Sequence, residues 1–152
     1  TVVIFSMLVS SGLGSYASRR LVRASDDRLT IALCAVTAIV TILAFSVKPI
    51  IDAGEALPLP VKMLITVLLI APAGFAMGIP FPSGLTRLEN WHSPSVRWAW
   101  SLNAAASVLG SCGAIFLAIY LGLRMTLLIG ASLYMVALVT LKLTGKRAGA
   151  TA

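Results

Sequence analysis

Charged residues are scarce in this sequence, and their scarcity excludes most water-soluble architectures. Only 11% of the 152 residues are charged, while 59% are hydrophobic; soluble domains carry about 25% charged residues. Twelve basic and five acidic side chains cannot cover the surface of a soluble chain of this length, whereas lipid can cover a membrane protein. Composition therefore predicts a multi-pass helical membrane protein in contact with the lipid bilayer.

Residues that carry chemistry are equally scarce. There is one histidine, His92, and the two cysteines, Cys34 and Cys112, lie inside apolar runs where no disulfide framework is expected. The sequence shows no Ser–His–Asp arrangement, no metal-ligand spacing and no phosphate loop. Gly12-Leu13-Gly14 lacks the preceding strand and third glycine of a dinucleotide fingerprint. We predict no catalytic residue, no metal site and no cofactor.

The net charge of +7 has two interpretations. A basic chain can bind nucleic acid, but Lys and Arg also collect in the cytoplasmic loops of membrane proteins. The basic residues lie between the apolar runs, which favours the second interpretation. No nucleic-acid partner is expected.

Charged residues divide the chain into five uncharged stretches. A helix needs about 20 residues to cross a hydrocarbon core of about 30 Å. The fold class predicted is all-α, a polytopic membrane helix bundle of about five transmembrane helices with a short interfacial helix after the third. The transmembrane domain covers residues 1–144, a polar C-terminal tail covers 145–152, and the predicted spans are 1–18, 29–47, 63–82, 98–121 and 125–142.

Basic residues also predict the orientation. Alternate loops divide them into nine on one side and three on the other, and the richer side is expected in the cytoplasm. This predicts an outside N-terminus, a cytoplasmic C-terminus and a bacterial inner membrane location. The odd number of spans and the start at Thr1 favour a fragment of a longer protein.

Small residues recur at the spacing that brings membrane helices together. Ser10 and Gly14 stand four apart, as do Gly74 and Gly78, and such pairs allow close backbone approach in lipid. We expect helix packing at five glycines: Gly12, Gly14, Gly74, Gly78 and Gly110.

The third span breaks at Pro80-Phe81-Pro82, and Ser83 is placed to cap a short helix over 83–91. One interpretation is a helix that ends at the cytoplasmic interface. The other is a broken helix whose free backbone groups, near Pro80 and Pro82, line a ligand site as in transporters.

The fourth span carries a polar and small face. Asn103, Ser107, Gly110, Ser111 and Ala114 share one helical face. This face is interpreted as a packing surface across which Asn103 can form hydrogen bonds. A substrate contact at Asn103 and Ser107 is the alternative. Nearby, the tryptophans Trp91, Trp98 and Trp100 are typical of an interfacial anchor.

Three strings together resemble a known family. They are GFAMGIPFPSGL at 74–85, WAWSLN at 98–103 and SVLGS at 107–111, and residues 5–20 and 122–124 fit the same pattern. This combination resembles the membrane portion of bacterial spermidine-synthase-like integral membrane proteins. Ala104 departs from it, because the family commonly has glycine after the asparagine.

The resemblance implies a membrane domain joined to a soluble Rossmann-type domain similar to aminopropyltransferases and methyltransferases. Any catalysis would belong to that soluble domain, whose glycine-rich and acidic motifs have no counterpart in this chain. The leading hypothesis is a non-catalytic anchor, or a hydrophobic or polyamine-related binding module. The alternatives are part of a small-molecule transporter, or a structural subunit of a larger membrane assembly.

Overall fold

The chain is helical throughout most of the part that the structure, a computed structural model, describes, residues 1–21 and 26–150. The all-α prediction is confirmed, with no strand in these two ranges. The helices are α1 (Val2–Leu21), α2 (Asp26–Ala53), α3 (Leu59–Met77), α4 (Pro80–His92) and α5 (Ser95–Ala150). Of the loop predicted between the first two spans, residues 22–25 lie outside the described residues, while α1 continues to Leu21 and α2 begins at Asp26. The end of the predicted tail, 151–152, also lies outside the described residues.

Within the described residues, three helical stretches are long and apolar enough to cross a membrane: Asp27–Ala53, Leu59–His92 and Ser95–Leu143. A shorter apolar helix covers Val2–Ser18. The membrane location that composition predicts is therefore confirmed at this coarse level.

A single glycine divides α5. Gly122 has φ 81° and ψ 164°, far from helical values, and a side chain at such a φ would be strained. We call residues 95–121 the N-terminal arm of α5 and residues 123–143 its C-terminal arm. The break lies between the fourth and fifth spans predicted from the sequence.

The C-terminal arm packs along α2 and forms the centre of the molecule. Leu29 and Leu138 share one buried cluster, while Val36, Val40 and Ala131 share the next. Because positions rise along α2 as they fall along the arm, the two helices run in opposite directions. Val36 is fully buried between them.

Helix α1 packs chiefly on α3 through small residues. A Cβ added to Gly14 would overlap the backbone of Phe75, and one added to Gly78 would overlap the backbone of Ser11. One added to Gly74 would meet the Ser10 hydroxyl, which itself donates to the Ser6 carbonyl. The two backbones thus approach closely because neither carries bulk at the contact.

The N-terminal arm of α5 is the exception to this packing. The positions from Ala104 to Ser111 are all exposed, and Leu109 and Val108 are 73% and 65% exposed. An aromatic contact with α4 joins Phe81 and Trp100, whose ring centroids lie 5.2 Å apart at 81°. The arm therefore begins against the bundle and then presents its sides to the surroundings.

Two predicted boundaries were wrong. Helix α2 continues past Val47 to Ala53 with Pro49 inside it, and a Lys48–Asp52 ion pair of 2.8 Å supports this last turn. Helix α4 begins at Pro80 and has no side-chain cap, since proline is tolerated in a first helical turn, where its missing N–H has no partner to lose. Ser83 is not a cap, because its hydroxyl donates to the Ile79 carbonyl at 2.8 Å.

Candidate functional site

The candidate site is an apolar cleft of about 450 Å³ between α2, α4 and both arms of α5. We call it the Tyr134 cleft. Its lining residues are Leu29, Leu33, Met77, Pro80, Phe81, Gly84, Leu85, Leu88, Ala99, Tyr134, Ala137 and Leu141.

The pattern of α4 explains how the cleft forms. Phe81, Leu85 and Leu88 follow one another at helical spacing and line the cleft together, whereas Glu89 and Asn90 are exposed. The short helix is therefore amphipathic, with its apolar face towards α2 and the C-terminal arm of α5.

The chemistry of the cleft is almost wholly apolar. None of its lining residues is Asp, Glu, Lys, Arg or His, and the Tyr134 phenol is the polar side chain among them. Such a surface can hold a hydrocarbon or another apolar group, with the phenol as a hydrogen-bonding group. It offers no acid, base or nucleophile at neutral pH.

The predicted binding residues do not form one site. Pro80 lines the Tyr134 cleft, whereas Pro82, Asn103 and Ser107 are not among its lining residues. Asn103 lies one turn beyond Ala99 on the N-terminal arm and is partly exposed, and Ser107 is exposed. The Phe81–Trp100 ring contact joins α4, which carries Pro80 and Pro82, to the arm of α5 that carries Asn103 and Ser107.

Hydroxyl groups on the face of Asn103 are satisfied within their own helix. Ser107 donates to the Asn103 carbonyl and Ser111 donates to the Ser107 carbonyl, each at 2.8 Å. A hydroxyl bonded four residues back can face lipid without another partner. The hydroxyl groups of this face therefore do not require a substrate.

Three amide donors at the junction between α3 and α4 are paired. Gly78 N–H donates to the Gly74 carbonyl at 3.0 Å, Ile79 N–H to Ala76 at 3.3 Å, and Ser83 N–H to Ile79 at 3.4 Å. Ile79 itself has helical angles. The chain passes from one helix to the next with its hydrogen bonds largely kept.

Three of the five predicted packing glycines lie in the α1–α3 contact: Gly14, Gly74 and Gly78. Gly12 and Gly110 lie elsewhere, since a Cβ added to either would meet no atom within 4 Å. The same spacing rule thus marks glycines that touch a neighbour and glycines that do not.

The histidine and the cysteines lie away from any cluster. His92 Nδ1 and the Ser95 hydroxyl share a hydrogen bond of 2.8 Å across the α4–α5 turn. Cys34 and Cys112 are exposed and free. Among the described residues no three metal-ligating side chains come together.

Most of the cleft escapes prediction from the sequence. The fifth span, which carries Tyr134, has the pattern of a structural helix, and no motif marks Leu88 or Ala99. The spacing of Phe81, Leu85 and Leu88 is the signal that indicates an apolar face on α4. The partners of this face on α2 and on the C-terminal arm of α5 are more than 40 positions away, so no local pattern identifies them.

Comparison of the chain with protein families, curated proteins and solved structures found no match. The family resemblance therefore rests on the sequence motifs themselves.

Proposed function

We propose that this chain is a non-catalytic, multi-pass membrane domain of a spermidine-synthase-like protein. It acts as an anchor, or as a hydrophobic or polyamine-related binding module, for a soluble Rossmann-type domain or for further membrane helices of the same parent protein. The observation that carries the proposal is the distribution of charge. Charged side chains of the described residues lie at the two ends of the bundle, and the Tyr134 cleft holds none.

The contacts support five membrane-crossing segments. At one end, Leu29 of α2, Ile79 beside α4 and Leu138 of α5 share a cluster. At the other end, Lys48 and Asp52 of α2 line the same cleft as Gly122 and Arg124. Each arm of α5 therefore runs between the same two ends of the bundle as α2. At about 1.5 Å per residue, 27 residues of the N-terminal arm span about 40 Å, which is enough for a crossing.

The two ends differ in charge, which supports the proposed orientation. Arg28, Arg87, Arg97 and Lys142 follow or precede the segments at the first end. The second end has three basic residues, Lys48, Lys62 and Arg124, and also carries Asp52 and Glu55. The Lys62 amine donates to the Glu55 backbone carbonyl at 2.8 Å. By the positive-inside rule the first end faces the cytoplasm, with the N-terminus outside and the C-terminus inside a bacterial inner membrane.

In this orientation α4 is an interfacial helix at the cytoplasmic side. Trp91 and Trp98 are 83% and 73% exposed around the α4–α5 turn, and indole rings favour the headgroup zone. The Tyr134 cleft opens at the same level. A soluble domain on the cytoplasmic side would therefore meet α4 and this cleft first.

The first experiment is the intact mass of the protein extracted from its native membrane. We expect a mass several-fold above that of these 152 residues, with a Rossmann-type sequence in the additional part. A mass equal to this chain would contradict the proposed parent protein. Aminopropyl transfer by the purified chain alone would contradict the non-catalytic assignment.

Topology is tested with single cysteines in a Cys34→Ser, Cys112→Ser background. Glu55→Cys should react with a membrane-impermeant maleimide in intact spheroplasts, and Asn90→Cys should react only after permeabilisation. Equal labelling of both positions in intact spheroplasts would contradict the five-span arrangement.

A further inference from the structure

A second cleft, of about 360 Å³, lies between the C-terminal end of α2 and the break in α5. We call it the Arg124 cleft. Its floor is apolar, with Ala44, Val47 and Leu127 among its residues, and its rim carries Lys48, Asp52 and Arg124. An apolar floor below a charged rim is the surface that an amphipathic ligand requires.

The Arg124 side chain lies over an aromatic ring of α2. Its guanidinium carbon lies 4.2 Å from the centroid of the Phe45 ring. A guanidinium stacked on a ring keeps its N–H groups in the plane, available to an oxygen ligand. Within residues 1–21 and 26–150, no carboxylate forms an ion pair with Arg124.

The other two charges form a neutral pair at the rim. Lys48 Nζ and Asp52 Oδ2 lie 2.8 Å apart, and both side chains are largely exposed. The rim therefore has a net positive charge, that of Arg124. Lys48 lines the same cleft as Arg124.

We infer that the Arg124 cleft binds the phosphate group of a membrane glycerophospholipid, with the guanidinium of Arg124 on the phosphate and an acyl chain along the apolar floor. An arginine guanidinium binds phosphate through charge-assisted and often bidentate hydrogen bonds. The inference rests on the proposed function, because the rim lies at a membrane interface only if α2 and the C-terminal arm cross the bilayer. A free phosphate ion would leave the apolar floor uncovered, which favours the lipid.

The test uses the purified chain in a maltoside detergent. Phosphatidylglycerol is added in mixed micelles, and native mass spectrometry counts the retained lipid. We expect Arg124→Gln to weaken retention about 10-fold, the effect of losing one charge-assisted contact. Lys142→Gln, at the opposite end of the bundle, is the matched control and should retain lipid like the unmodified chain.

A second variant and two ligands keep the test decisive. Lys48→Gln changes an exposed side chain, so it should fold normally and weaken retention less than Arg124→Gln. Diacylglycerol with the same acyl chains lacks the phosphate and should not be retained. Equal retention of diacylglycerol, unchanged retention in both variants, or displacement of the lipid by millimolar orthophosphate would overturn the inference.

Topology labelling separates the two proposals. If Glu55→Cys and Asn90→Cys label on opposite sides while Arg124→Gln keeps its lipid, the lipid site is wrong and the five-span arrangement stands. If both label on the same side, the five-span arrangement is wrong, and the lipid site fails with it.

Discussion

The α1–α3 contact and the N-terminal arm of α5 both carry regularly spaced small residues. Those of the α1–α3 contact lie against a neighbouring helix, whereas those of the arm are exposed. Both present small residues four apart on one helical face. On α1 and α3 these residues allow two backbones to meet, whereas a Cβ added to Gly110 on the arm would meet no atom within 4 Å. Spacing of small residues therefore permits close packing without specifying that it occurs.

The first way to break this comparison is to add bulk at both places. Gly78→Leu would drive a side chain into the backbone of Ser11, and we expect a loss of about 3 kcal/mol in the free energy of unfolding, at the upper range for overpacking. Gly110→Leu, its matched control, should change it by about 0.5 kcal/mol or less, as at other open surface positions. Denaturant titration in detergent micelles measures both, and equal losses would show that the arm is packed as tightly as α1.

A second comparison sets the buried centre against the arm. Val36→Ala should lower the free energy of unfolding by about 1–2 kcal/mol, because a fully buried side chain loses its contacts and leaves a small cavity. Val108→Ala removes the same atoms from a side chain that is 65% exposed and should have little effect. A larger effect at Val108 would contradict the exposed arrangement of the arm.

The contact between α4 and the arm should have an intermediate effect. Trp100→Ala removes the edge-to-face contact with Phe81 and should lower the free energy of unfolding by about 1 kcal/mol. Trp98, two positions earlier and more exposed, is the control. If Trp98→Ala costs as much as Trp100→Ala, anchoring of the indoles in lipid rather than the ring contact would explain the loss.

The smallest effect is expected on the polar face of the arm. Ser107→Ala removes a hydroxyl that bonds within its own helix, so the change in the free energy of unfolding should be below about 0.6 kcal/mol, the typical value of a hydrogen bond between membrane helices. The same micelle titration applies. A loss well above this value would reveal a partner for Ser107 that the chain itself does not supply.

The local sequence predicted five packing glycines, and only those that lie against a neighbouring helix are in a close contact. Gly14 and Gly74 lie in a contact and Gly110 does not, although each has a small residue four positions away. The proline string at 80–82 correctly indicates where the helix is interrupted. It does not indicate how many hydrogen bonds remain at the interruption. The N–H groups of Gly78, Ile79 and Ser83 form hydrogen bonds at the junction between α3 and α4. A proline in the first turn of a helix removes no helical hydrogen bond, because the N–H groups of that turn have no partner within the helix.

The sequence by itself determined that this is a helical membrane protein with its charges outside the apolar segments. Length, apolar composition and hydrogen bonding in lipid leave a chain like this few options other than helices. Only the tertiary structure decided which faces meet, that α2 and the C-terminal arm of α5 form the centre, and that two clefts lie at the two ends of α2. Those outcomes depend on shape complementarity between helices far apart in the sequence, because lipid is as apolar as the side chains and hydrophobicity alone does not select a partner.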